Sequence, residues 1–161
     1  MPPTPRQLGP VGVGRMVCMW DGATRRGSHS AGGLILANHA RECLLARGVQ
    51  FQAVDDPMVA ELLVLREAVV WCLELGFFNV SFEGDAKVII DKINSADTRD
   101  NRLGAVLVEI VQYFRAHTGF SIRFVGREHN RVAHVVARKA LSLYPAISRS
   151  FDFLAWLSSR V

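Results

Sequence analysis

The chain has 161 residues, half of them hydrophobic and 21% charged, with a formal net charge of +4. Such a length and composition fit one folded domain with a proper core and exclude a disordered chain. No apolar run is long enough to span a membrane, because Glu61, Arg66, Glu67 and Glu74 interrupt the stretch Ala60–Leu75. The slight positive charge favours a polyanionic partner without specifying one.

In chain order, Met1–Gly14 reads as a flexible lead-in, rich in proline and without the apolar core of a secretory signal. Its Gly12 and Gly14 precede a strand instead of following one, which argues against a nucleotide-binding loop. Arg15–Trp20 is the first predicted strand. Its continuous apolar run indicates burial on both faces. The run stops at Asp21, followed by Gly22 and Ala23. A carboxylate ending such a strand lies at the rim of a sheet, where α/β folds place their chemistry. Asp-Gly is also a common turn pair, so the position alone is ambiguous. Thr24–Ser30 reads as a polar loop, and Ala31–Asn38 and Glu42–Gln50 as strands completing an antiparallel meander.

Asp55-Asp56-Pro57 is a helix start, with an aspartate cap and proline in the first turn. That helix is predicted to run to Leu75 and stop at Gly76, with Glu61 beside its apolar stripe. Asn79–Glu83 is a fourth strand, and a helical crossover into it predicts a parallel pairing with the first. Gly84 and Asp85 follow, then a short helix over Ala86–Ile93, a turn over Asn94–Asn101 and an amphipathic helix over Arg102–His117. Ser121–Val125 alternates as a fifth strand, Gly126–Asn130 is a tight turn, and Arg131–Leu141 is the last main helix. The core domain is therefore placed at residues 15–142, and residues 143–161 form an aromatic tail that packs back as a short helix or binds a partner. Cys18, Cys43 and Cys72 lie in apolar surroundings without paired spacing, and read as buried free thiols of a reducing compartment.

Three acidic residues thus converge. Asp21 and Asp85 end neighbouring parallel strands, which lie ~5 Å apart, and Glu61 lies near the start of the helix that crosses between them. Each has an ordinary explanation as a turn former, a cap or a solvated helix residue. Three carboxylates at one rim repel each other unless cations lie between them. Hard oxygen ligands suit magnesium or manganese, and two such ions ~4 Å apart serve phosphodiester hydrolysis.

The order of elements, with Trp-Asp-Gly-Ala (20–23), Ala-Glu-Leu (60–62), Glu-Gly-Asp-Ala-Lys (83–87) and Arg-Glu-His-Asn-Arg-Val-Ala-His (127–134), resembles the ribonuclease H domain. More narrowly, it is similar to the reverse-transcriptase-like ribonuclease H domains of plant retroelements. The resemblance implies an α/β fold with a mixed five-stranded sheet, order 3-2-1-4-5, and helices on both faces. It implies cleavage of the RNA strand of an RNA–DNA hybrid with two Mg2+ or Mn2+ ions, by a monomer, leaving a 5′-phosphate and a 3′-hydroxyl. Asp21 would then hold both metals, Glu61 one of them beside the 2′-hydroxyl, and Asp85 the other. Gly22 and Gly84 would let the backbone approach nucleic acid, and Lys87, Arg127, Asn130 and Arg131 would contact it.

Four departures stand out. The family's fourth acidic position holds His134, which by that position is a candidate catalytic residue and metal ligand: a neutral imidazole can ligate manganese or zinc but brings no negative charge and is a poor magnesium ligand. The polar pair before the helix glutamate is replaced by Pro57, Met58 and Val59. Neither a mobile histidine loop nor a basic handle is present in the sequence. A nucleic-acid or protein binding module with weakened catalysis is therefore the alternative expectation.

Overall fold

The computed structural model describes residues 14–145 and 150–158. The lead-in is therefore outside the described residues except for Gly14, as are parts of the tail. β1 (Met16–Arg25), β2 (His29–Ala37) and β3 (Cys43–Phe51) form the antiparallel meander, and helix α1 (Pro57–Glu74) leads to β4 (Val80–Gly84). α2 (Lys87–Ser95) and α3 (Gly104–Ala116) follow, then β5 (Phe120–Phe124), a 3-10 turn (Arg127–His129) and α4 (Arg131–Ser142).

The expected order 3-2-1-4-5 is present, with β4 parallel to both β1 and β5. The tail adds to it: β6 (Ser150–Asp152) pairs antiparallel with the outer edge of β3, and α5 (Leu154–Ser158) follows. A sixth strand thus covers the β3 edge, an arrangement that removes unpaired backbone groups from the sheet margin. The sequence suggested a short packed helix or a partner-binding segment here, and no strand.

β1 differs most from expectation. It does not end at Trp20 but runs through Asp21, Gly22 and Ala23 to Arg25, paired all the way with β2 from Val17↔Ala37 to Arg25↔His29. The reversal comes later, where Ser28 N–H donates to the Arg25 carbonyl. Asp21 is therefore not a turn residue. β4 pairs with β1 only as far as Met19↔Glu83, so Asp21 lies where β1 has lost its parallel neighbour. This opening between diverging strand ends is the crevice where open α/β sheets bind ligands.

Trp20, Leu34, Leu62, Leu65, Val69, Phe82, Ile89, Leu107 and Ile122 fill one face beneath α1, α2 and α3. Val17, Met19, Ile35, Ala133, Val136, Ala137, Ala140 and Phe153 fill the other, beneath α4 and the tail. Helices on both faces are thus borne out. Gly33 brings α4 onto the sheet: a methyl group there would lie 2.7 Å from the Ala137 backbone nitrogen. Among the described residues no helix is long and apolar enough to cross a membrane. Cys18 and Cys72 are buried as expected, but Cys43 is exposed, because β3 begins with its first residues outside the cover of the helices.

Candidate metal and nucleic-acid site

Asp21 on β1, Glu61 on α1 and Asp85 just after β4 each present a carboxylate oxygen, and these oxygens lie within 4.8 Å of one another. Asp21 is buried and the other two half-buried. Asp85 does not cap α2, since no side chain caps that helix. It is instead directed to the cluster and to Arg127, whose Nε lies 3.7 Å from Asp85 Oδ2. Glu61 comes against β1 because Gly22 lacks a side chain: a β-carbon there would lie 3.2 Å from Glu61 Cδ.

Crowding shows in the acid strengths. Burial, then the charges of Asp21 and Asp85, push the Glu61 carboxyl from its ordinary 4.5 up to about 9, opposed by a hydrogen bond from the Gly22 backbone. Burial and the Asp85 charge also raise Asp21, while a hydrogen bond from His134 pulls it back. The protonated Glu61 therefore holds a proton in the folded state that the unfolded chain has released. That proton favours folding fully below about pH 4.5, and the benefit is lost as pH rises to about 9. Without divalent metal, the thermal midpoint is expected to fall between about pH 5 and pH 8. Added Mn2+ counteracts the fall, because it binds the deprotonated carboxylates and releases protons. A midpoint that stays level or rises over this range in a chelator would contradict the arrangement.

His134 lies on α4 with Nδ1 2.8 Å from Asp21 Oδ2. A carboxylate only accepts, so the ring donates there. Asn130, expected at the nucleic acid, is fully buried and serves the scaffold: its Nδ2 donates to the Trp20 carbonyl at 2.8 Å. It ties the start of α4 to the residue before Asp21 and leaves no face for a nucleic-acid contact. Gly84 is a second correction, since it is buried and its bare face is occupied by the Trp20 indole. Gly22 is likewise filled by Glu61. Lys87, Arg127 and Arg131 are exposed, and the first two flank the cluster. A groove of about 460 Å3 opens from Glu61 and Asp85 between Met58, Val88, Lys87, Arg102 and Arg127.

Sequence reading missed the support under Asp85. Glu83, two residues earlier, is wholly buried. Arg41 grips it with two hydrogen bonds of 2.8 and 2.9 Å, and Arg123 Nε adds a third at 2.8 Å. This triad fixes the end of β4 from the face opposite α1.

Residues 19–140 match the model of the reverse transcriptase-like family, and the chain belongs to that family. Its fold is that of ribonuclease H. The ribonuclease H1 of the halophilic archaeon Halobacterium salinarum NRC-1 is 26% identical and superposes with a TM-score of 0.72, over 80% of this chain and 98% of its own. The N-terminal ribonuclease H domain of Rv2228c from Mycobacterium tuberculosis, solved as a maltose-binding-protein fusion, is 18% identical with a TM-score of 0.68, covering 80% and 94%. LC11-RNase H1, solved in complex with an RNA/DNA hybrid, is 15% identical with a TM-score of 0.69, covering 79% and 96%. No curated protein matches the sequence.

Proposed function

We propose that this protein is a divalent-metal-dependent endonuclease that hydrolyses the RNA strand of an RNA–DNA hybrid, leaving a 5′-phosphate and a 3′-hydroxyl. The observation that carries this reading is the carboxylate cluster of Asp21, Glu61 and Asp85 in the crevice of a ribonuclease H fold. The residues suit a hard cation: all three are oxygen donors, and Glu61 Oε2 is buried without a partner. A structure of a similar protein with an RNA/DNA hybrid supports the substrate class.

Asp21, Glu61 and Asp85 would together hold Mg2+ or Mn2+. Bound there, the metals supply a nucleophilic water and stabilise the leaving oxygen. The chain contributes placement. Asn130 and the β2 pairing fix Asp21, Gly22 admits Glu61, and the Arg41–Glu83–Arg123 triad steadies Asp85. Recognition of the 2′-hydroxyl beside Glu61 distinguishes RNA from DNA. A retroelement origin accords with the reverse transcriptase-like family.

His134 is read as the partner that orients Asp21, from the position where the family carries a further carboxylate. Its replacement by alanine is expected to lower metal affinity about 10- to 100-fold, as for other groups that orient a ligand. Calorimetric Mn2+ titration of the variant checks this, and unchanged affinity would remove His134 from the site. The same residue motivates a second reading, a hybrid-binding module with little turnover. A panel of RNA–DNA hybrid, single-stranded RNA and DNA duplex, incubated with Mg2+ or Mn2+, separates the readings. Selective loss of the hybrid's RNA strand supports the nuclease, and hybrid binding without any product supports the module.

A further inference from the structure

Beside the carboxylates lies an aromatic residue that the core does not use. In the parallel ladder Phe124 is the register partner of Gly84, so it lies one strand spacing from the residue before Asp85. Ile122, two residues earlier on the same face, is buried under the helices. Phe124 has passed beyond that cover and is 47% exposed, and neighbouring Val88 at the start of α2 is 51% exposed. One cation lies over the ring and a second lies beside Asp85. Lys87 Nζ lies 5.9 Å from its centroid, and Arg127 follows three residues on, mostly exposed and 3.7 Å from Asp85. Lys87 also pairs with Asp91 at 3.2 Å, and both side chains are exposed, so the lysine over the ring can swing aside toward its partner.

An exposed aromatic ring with a cation over it, next to a site for a phosphodiester, is the kind of surface that unpaired nucleobases use. Resting on the nucleic-acid reading above, we propose that Phe124 is a stacking platform for an unpaired base next to the hybrid segment held at the carboxylates, with Lys87 and Arg127 taking the adjoining phosphates. Paired bases inside the hybrid present no free π face, so the platform selects a hybrid with a single-stranded overhang. The contact is sequence-tolerant, because every base has such a face.

The test compares a blunt RNA–DNA hybrid with the same hybrid carrying a short overhang, placed in turn on the RNA or the DNA strand and containing 2-aminopurine. Binding and fluorescence are measured in Ca2+ with the full chain. The overhang is expected to tighten wild-type binding about tenfold and quench the reporter. Phe124→Ala abolishes both effects but leaves blunt-hybrid affinity unchanged, and Phe124→Trp restores them. Phe124→Leu, apolar but without a π face, behaves as alanine does. Equal tightening by wild type and Phe124→Ala, or full rescue by leucine, would overturn the stacking assignment while leaving the nuclease reading intact. Failure of wild type to bind either hybrid would overturn both.

Discussion

Replacing Asp85 by asparagine is expected to reduce metal-dependent cleavage of an RNA–DNA hybrid about 10³-fold or more, while the metal-free protein becomes no less stable. The first effect follows from removing a ligand of ions that supply several kcal/mol of charge stabilisation, at 1.36 kcal/mol per tenfold in rate. The second follows from the pKa pattern. The Asp85 charge raises both Asp21 and Glu61, so its removal relieves a repulsion that folding otherwise imposes. Single-turnover cleavage and thermal melting in a chelator read the two effects on one sample. A variant that cleaves within tenfold of wild type, or that melts several degrees lower, would not carry an acidic cluster of this kind at its active centre.

The second large effect is structural. Glu83→Gln removes the only carboxylate that Arg41 and Arg123 share in the triad, although it keeps the side chain's shape. Breaking a buried ion pair from one side costs about 3–5 kcal/mol, because the remaining charge stays buried unpaired. For a chain of this size each kcal/mol shifts the midpoint by about 2–4 °C, so a fall of about 10 °C is expected on thermal melting. The uncompensated charge is that of Arg41, whose side chain is 7% exposed, whereas Arg123 at 40% can reach water. Replacing Arg41 and Glu83 together by methionine should therefore recover part of the loss. A midpoint within 2 °C of wild type for Glu83→Gln would show that the triad does not brace β4.

The contrast between these residues explains what could be read from the chain itself. Asp21 and Asp85 were legible because each directly follows an apolar run, and burial periodicity locates the ends of strands. Glu61 was legible because an aspartate cap and Pro57 fixed where its helix began, and hence which turn it occupied. The triad was not, because Glu83 meets its arginines across 42 and 40 residues of sequence. Nothing local distinguishes Arg41 in a turn from a solvated charge.

The extension of β1 past Asp21 was hidden for a related reason. Asp-Gly has a local preference for turns, but nine residues of β1 pair continuously with β2, and Gly32 and Gly33 accept α1 and α4 closely on either face. Tertiary pairing overrode the local preference. Asn130 was misassigned because a polar residue opening a helix beside a candidate site suggests a ligand contact. Its burial beneath β1 depends on how closely α4 seats. The tail strand, only Ser150–Asp152, is too short for alternation to signal it, and it exists because β3 offers an edge.

Metal-dependent hydrolysis by this chain is tested most directly by single-turnover incubation of excess wild-type protein with an RNA–DNA hybrid labelled on the RNA strand, across a Mn2+ titration from zero. No product is expected in chelator, with a metal-dependent rise in cleavage confined to the RNA strand and fragments ending in a 5′-phosphate and a 3′-hydroxyl. Stable binding of the hybrid with no product at any Mn2+ concentration, or equal cleavage with and without metal, would contradict it.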